Sequence, residues 1–432
     1  MTGKTAIRGR LLDFIADPAE AGEEACYRYI ADGAVVMEDG KIASIGPAAD
    51  LPADMPVEDY GQALVLPGLI DTHIHYPQTR VIASYGAQLL EWLDKYTFVE
   101  EQKFADPDHA AAVAKFFFDE LLRNGTTTAA VYCTVHPESV EAFFTESERL
   151  NTLMIAGKVM MDRNAPEALT DDAERSFSES AALIEKWHGR GRQHCAVTPR
   201  FAVTSTEAQL EAAGALMRGY PDIYMQTHLA ENSAEIAAVA KQFPWSRSYT
   251  DVYDKFGLLG PRAIFGHGIH LSDGEIARLS ETDSTVAFCP TSNLFIGSGL
   301  FDMGRLRGGG VKVGLATDVG GGTSFSMLRT AAEAYKVLQL NNQNLPALQA
   351  FHLMTRGNAD ALGLAGRIGT LEPGSDADIT VLDTRATPAM AHRMDTIDGN
   401  LAEELFVLMT LGDDRSTLAT YVAGERLYYA GR

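Results

Sequence analysis

Short apolar runs recur along the middle of this chain, each bounded by turn-forming residues and followed by a stretch whose apolar positions repeat at helical spacing. The runs fall at 64–73, 126–132, 153–161, 194–201, 223–229, 263–268, 285–290 and 311–317, and they predict eight strands. Between the first two, residues 108–122 place their apolar side chains on one helix face. Asp106 is the predicted N-cap of that helix, Pro107 occupies its first turn and Gly125 lies past its end. Strand and helix alternating in this way predict an α/β fold, a (β/α)8 barrel of the TIM type.

The two ends carry a different pattern. Residues 34–46 read as two short strands joined by an Asp-Gly turn, and residues 376–383 and 420–429 are short strands with a Gly turn. Two β-rich ends flanking a barrel predict one small β-sandwich, because each end supplies cover for the other's exposed strand edges. The expected partition is 1–66 for the N-terminal part of the sandwich, 67–366 for the barrel and 367–432 for the C-terminal part.

Composition narrows what such a fold does. With 432 residues, 46% of them hydrophobic and 22% charged, the chain supports one large core. No stretch reaches the roughly 20 apolar residues that span a bilayer, and the polar start at 1–10 lacks the apolar segment of a signal peptide, so no membrane role and a cytoplasmic location are expected. Cys26, Cys133, Cys195 and Cys289 lie far apart with no CxxC pair, which predicts reduced, buried thiols. A formal charge of −22 repels a phosphate backbone, and no basic stripe offsets it, so nucleic acid is excluded and a small molecule is the expected partner.

The candidate chemistry begins at Pro67-Gly68-Leu69-Ile70-Asp71-Thr72-His73-Ile74-His75. Two imidazoles two residues apart on a strand project from one face, at the strand end where barrels keep their chemistry. The chain has only 11 histidines, yet His228, His267 and His270 also fall at or just past apolar runs, and the strand-like 311–317 leads into Asp318. Three or four imidazoles and a carboxylate suit zinc or ferrous iron, with an open position for water. His109, His188 and His392 sit among polar residues and are expected to be solvated, whereas Phe116-Phe117-Phe118 and Met160-Met161 are expected to pack in the core. Gly320-Gly321-Gly322 lacks a following Gly-Lys-Ser/Thr, so it reads as a tight turn passing close to the site. Taken alone, Arg200 beside Phe201 reads as a buried ion pair next to an aromatic ring. Trp92 and Tyr96 either wall a pocket or anchor a helix.

These residues also carry a resemblance. The 67–75 motif, then His228, His267 and Asp318 in that order, and Gly374-Ser375-Asp376-Ala377-Asp378 resemble the amidohydrolase superfamily. His75-Tyr76-Pro77-Gln78, Pro199-Arg200-Phe201, Thr227-His228-Leu229-Ala230-Glu231-Asn232, Pro290-Thr291-Ser292-Asn293-Leu294 and the stretch from Thr317 to Ser324 resemble the guanine deaminases within it. The resemblance implies metal-dependent hydrolysis of guanine to xanthine and ammonia by a homodimer. It implies His73, His75, His228 and Asp318 as metal ligands, with His267 as a further ligand or a partner of the bound water. It implies catalytic roles for Glu231, His267 and Asp318, with Glu231 as proton shuttle, and a purine held by Gln78, Arg200 and Phe201 together with His228 and Glu231.

The proton-shuttle role asks for a Glu231 pKa above that of an ordinary carboxylic acid. An adenine amine would meet Arg200 donor to donor, so adenine is expected to be rejected. Two-metal members of the superfamily bridge their ions with a carboxylated lysine on the fourth barrel strand, and 194–201 contains none, Lys158 lying on the third. One Zn2+ per chain is therefore expected, ferrous iron suiting the same donors. Alternative substrates are 8-oxoguanine, a pterin or a triazine; a non-catalytic dihydropyrimidinase-like scaffold is the reading of another class, disfavoured because the ligand set is intact.

Overall fold

The computed structural model describes residues 3–86 and 88–431. The N-terminal part contributes β1 (Thr5–Phe14), β2 (Tyr27–Glu38), β3 (Lys41–Pro47) and β4 (Val57–Pro67). The central part contributes β5 (Leu69–His75), β6 (Thr126–Tyr132), β7 (Leu153–Gly157), β8 (Val159–Met160), β9 (Gln193–Pro199), β10 (Tyr224–Leu229), β11 (Ala263–His267), β12 (Thr285–Phe288) and β13 (Lys312–Leu315). The tail adds β14 (Ile379–Leu382), β15 (Thr417–Val422) and β16 (Glu425–Tyr429).

Parallel pairing runs in sequence order from β5 through β6, β7, β9, β10, β11 and β12 to β13, with the short β8 alongside β9. Covered by helices outside and by each other's side chains inside, these strands are buried on both faces, which is why they read as continuous apolar runs. Side chains carry the bonding across the seam between β13 and β5. Asn358 Nδ2 donates to Ile70 O (2.7 Å) and Leu315 O (2.8 Å), its Oδ1 accepts from Leu315 N (2.8 Å), and Thr72 Oγ1 donates to Leu315 O (3.2 Å). The result is the nearly closed barrel that the alternating pattern predicts.

One predicted strand divides. The run 64–73 breaks at Gly68: Leu64 to Leu66 belong to β4, which pairs with β1 and β14, and only Leu69 onward enters the barrel. An apolar run has the same appearance in either sheet, so the pattern alone cannot divide it. The break requires glycine, since a Cβ at Gly68 would lie 2.1 Å from Thr127 Oγ1.

The terminal strands form one sheet in the order β16-β15-β14-β4-β1-β2-β3. The β2–β3 hairpin reaches back to the tail, with Ala377 N donating to Gly40 O (2.9 Å) and Ile42 N to Ser375 O (2.9 Å). The curled sheet encloses Ile7, Leu11, Val35, Val65, Ile379 and Val381, the interior expected of the sandwich. Asp376 and Asp378 of the tail motif bind Arg192, just before β9, at 2.9 and 2.5 Å, and tie this unit to the base of the barrel.

The helix Pro107–Arg123 is capped as predicted, Asp106 Oδ1 accepting from Asp108 N at 3.0 Å. Phe117 and Phe118 are buried but Phe116 is 50% exposed, because three successive helical residues cannot all face the barrel. Met160 and Met161 are buried, as are the four cysteines, all free. Among the described residues no helix is long and apolar enough to cross a membrane.

Candidate active site

The C-terminal ends of β5, β10, β11 and β13 bring His73, His75, His228, His267 and Asp318 together in the barrel mouth. Asp318 Oδ1 lies 3.4 Å from His73 Nε2 and 3.3 Å from His75 Nε2, and Oδ2 lies 3.7 Å from His267 Nε2. His228 Nε2 stands 3.2 Å from His75 Nε2. Close approach is built into the backbone. A Cβ at Gly266 would sit 2.6 Å from His73 Cε1, and His267 and Asp318 hold φ of 71° and 50°, a left-handed conformation that side-chain-bearing residues seldom adopt.

Outer partners set which ring nitrogen faces inward. His228 Nδ1 donates to Arg200 O (2.7 Å) and His267 Nδ1 to Asn293 Oδ1 (2.9 Å), which leaves each Nε2 with its lone pair toward the cluster. Asp71 braces the strand end from below, accepting from His73 N (3.2 Å) and Thr317 N (3.1 Å) and from the Thr317 hydroxyl. Burial pushes His75 down to about 3 and His228 well below its ordinary range, so these imidazoles are neutral near pH 7. Burial alone would raise Asp318, but its contacts with His73 and His75 override this and hold it well below the usual carboxylate range.

This donor set fits a divalent cation. His73 Nδ1 and Nε2 and His75 Nδ1 are buried and make no hydrogen bond among the described residues, an arrangement costly for polar atoms that have nothing to bind. His73, His75 and His228 offer nitrogens within 4.8 Å of one another, and the Cys289 sulfur joins His73, His267 and Asp318 at the same spacing. With no cation bound, burial and then the Asp318 charge hold the Cys289 thiol well above its ordinary range.

Beside the cluster lies Glu231, 2% exposed. Ser298 Oγ donates to its Oε1 (2.9 Å), and its Oε2 is 3.4 Å from His267 Nε2. Burial, then the neighbouring Asp318 charge, raises Glu231 to about 8. His270, which follows the same apolar run as His267, is exposed and bonds Ser298 O at 2.9 Å, behind the hydroxyl that holds Glu231.

A cavity opens over the cluster, with Gln78, Trp92, Arg200, Phe201 and Glu231 in its wall. Trp92 thus walls the pocket; Tyr96 does not line it. Arg200 forms the buried ion pair that its sequence surroundings suggest, with Nη1 2.9 and 2.7 Å from the two carboxylate oxygens of Glu101, and it also lines the cavity. Gly320, Gly321 and Gly322 pass close, as expected of a tight turn: a Cβ at Gly320 would lie 2.0 Å from Gln78 Oε1 and one at Gly322 1.9 Å from Thr317 O.

Two histidines expected in solvent are not there. His109 is half-buried against Phe104, with Nε2 3.4 Å from Glu100 Oε1, and His188 is half-buried, its Nδ1 accepting from Cys195 N at 3.1 Å; only His392 is exposed. Polar sequence neighbours do not report burial when a helix or loop turns one residue inward. Glu101, Asn293 and Ser298 take part in the site although the residue-level reading singled out none of them. Asn293 and Ser298 follow β12; Asn293 lies within the Pro290–Leu294 motif, and for Ser298 only its position after a barrel strand would have drawn attention.

A family model described as the amidohydrolase family matches residues 64–427. The chain is 48% identical over 430 residues to guanine deaminase of Escherichia coli (strain K12), covering 98% of this chain and 97% of that protein. It is 37% identical over 376 residues to guanine deaminase of Mus musculus, covering 84% and 82% of the two chains. Among solved structures, E. coli guanine deaminase superposes with a TM-score of 0.96 at 48% identity, covering 99% of this chain and all of that one (100%). A guanine deaminase from C. acetobutylicum with guanine bound in its active site superposes with a TM-score of 0.88 at 29% identity, with the same coverage of 99% and 100%. The chain belongs to the amidohydrolase family.

Proposed function

We propose that this enzyme hydrolyses guanine to xanthine and ammonia. The observation that carries the reading is 48% identity to a guanine deaminase over 98% of the chain. His73, His75, His228 and Asp318 would hold one zinc ion, with His267 beside it, a set supported by the orphaned nitrogens of His73 and His75. When bound, a divalent ion supplies the Lewis-acid chemistry that makes water a competent nucleophile near neutral pH.

The protein's own groups manage the protons. Water adds at C2 of guanine, and both of its protons end on the substrate: one on the adjacent ring nitrogen, one on the departing amine. Glu231 moves both. Its pKa near 8 suits it to take a proton and return it at neutral pH, and Ser298 holds one oxygen while the other faces the cluster. Asp318 stays a carboxylate and accepts a hydrogen bond from the attacking water; His267, fixed by Asn293, presents its bare nitrogen to the same point. Gln78 and Arg200 hold the ring edge, Phe201 lies along its face, and His228 and Glu231 close around the reacting carbon.

A homodimer is proposed from the resemblance of the motifs, and a cytoplasmic location is supported by four free, buried cysteines. The test is ammonia release from guanine, 8-oxoguanine, adenine, cytosine and a pterin, with and without chelator, alongside metal analysis. Guanine turnover lost on chelation and restored by one equivalent of zinc is the expected result. Equal turnover of adenine, or none of guanine by the metal-loaded protein, overturns the reading.

A further inference from the structure

Glu101 touches neither the imidazole cluster nor the reacting face, yet it is fully buried and holds both residues that face the ring edge. Its Oε1 accepts from Gln78 Nε2 at 3.0 Å and from Arg200 Nη1 at 2.9 Å, and its Oε2 accepts from the same Nη1 at 2.7 Å. A primary amide is nearly symmetric in shape, and a free glutamine can present either its oxygen or its NH2 to a ligand. Against a carboxylate that freedom vanishes. An amide oxygen turned toward Glu101 would set lone pair against lone pair, so the NH2 is drawn to Glu101 and Oε1 is left facing outward.

Oε1 makes no hydrogen bond among the described residues, and Gln78 lines the cavity. Arg200 engages Glu101 through Nη1 alone, and its other N–H groups are available to the cavity that it lines. The wall therefore offers an acceptor next to a donor.

Resting on the proposed guanine chemistry, we infer that Glu101 is a positioning residue that makes the pocket read a lactam edge, a ring N–H beside a ring C=O. Gln78 Oε1 accepts from the N–H and Arg200 donates to the carbonyl oxygen. An amidine edge, an unprotonated ring nitrogen beside an amine, meets acceptor with acceptor and donor with donor. Sites built to pair buried polar groups reject ligands that leave those groups unpaired by large factors. Guanine and 2,6-diaminopurine carry the same reactive C2 amine and differ only at this edge; their intrinsic reactivities cancel between wild type and variant, so the change in their ratio reports the edge.

The variant Glu101→Gln removes the charge that orients Gln78, lets its amide turn, and relieves one of the two mismatches with 2,6-diaminopurine. The measured quantity is the ratio of kcat/KM for guanine to that for 2,6-diaminopurine. We expect it to fall by about tenfold or more from wild type to Glu101→Gln, the loss of one oriented hydrogen bond. A merely structural role would lower both rates together, and a ratio that stays within about threefold overturns the inference.

If Glu101→Gln does not fold, Gln78→Leu, which removes the amide that Glu101 orients, is held to the same criterion. If the wild type fails to deaminate guanine at all, the functional reading falls by itself. The edge inference is then decided by the relative affinity of hypoxanthine and adenine: a preference for hypoxanthine of tenfold or more that collapses in the variant supports it, and a preference below threefold in wild type overturns it.

Discussion

Glu231 should weaken the metal-free protein while it serves the reaction, and the size of that penalty follows from its surroundings. Its pKa is raised from 4.5 to about 8, first by burial and then by the Asp318 charge. The folded state thus keeps a proton that the unfolded chain releases from pH 4.5 upward. The sign is fixed by linkage: where the folded state binds more protons, stability falls as pH rises. The penalty is absent below pH 4.5, grows by about 1.4 kcal/mol per pH step, and levels off above pH 8 at a ceiling on the order of 5 kcal/mol. Glu231→Gln is isosteric, keeps an oxygen for the Ser298 hydroxyl and cannot ionise.

The metal-free variant should therefore match wild type near pH 4.5 and exceed it by several kcal/mol at pH 8, read from urea unfolding midpoints at both values. In the metal-loaded enzyme the same variant should lose about 100- to 10,000-fold in kcat with KM changed little, the usual range for a lost general acid–base. A stability difference that does not vary with pH would refute the burial argument. A kcat within tenfold of wild type would refute the proton-shuttle role.

Other consequences are open to test. Among the described residues, Arg192→Met leaves the Asp378 carboxylate, 3% exposed, with only the Ala423 N–H as partner (2.8 Å), so unfolding should be easier by about 3–5 kcal/mol while turnover per folded molecule is unchanged, because Arg192 lies at the opposite end of the barrel from the site. Gly320→Ala places a Cβ 2.0 Å from Gln78 Oε1 at a φ of 125°, and should lower kcat/KM for guanine by about tenfold or more through displaced binding; an unchanged KM would count against the close approach. His352, 3% exposed and without a hydrogen-bond partner among the described residues, is pushed by burial from 6.5 to about 4, so its folded form excludes a proton and stability is lost as pH falls from 6.5 toward 4. His352→Leu should flatten that acid limb by roughly 2–3 kcal/mol in denaturation midpoints measured across this window.

The barrel was legible because strands buried on both faces carry a signal that depends on local sequence alone, and His73, His75, His228, His267 and Asp318 were legible because chemistry restricts residue type at strand ends. Where one pattern serves two environments, sequence reasoning lost its hold. The stretch from Leu64 to His73 reads as one run whichever sheet each half joins, and at the divide Gly68 packs against Thr127, a residue remote in sequence that leaves no room for a Cβ. His109 and His188 have polar neighbours, yet each turns toward packing supplied by distant segments.

Glu101 shows the limit most sharply. In the sequence it is one of two adjacent glutamates in a charged helical stretch, Val99-Glu100-Glu101-Gln102-Lys103, where solvent is the default surrounding for a carboxylate. In the fold the two diverge. Glu100, itself only 6% exposed, turns toward Lys103 (2.5 Å) and His109, while Glu101, fully buried, turns toward Gln78 and Arg200. What separates them is a rotation of about 100° about one helix axis and the presence of an arginine delivered by β9, some hundred residues on. A motif names residues that touch the reacting atoms, because their type is dictated by the reaction; a residue that acts by orienting them is dictated only by where those residues stand. Specificity held in such second-hand contacts becomes readable only once the strands and helices have placed Gln78 and Arg200 side by side, and that placement, not composition or spacing, gives Glu101 a testable role.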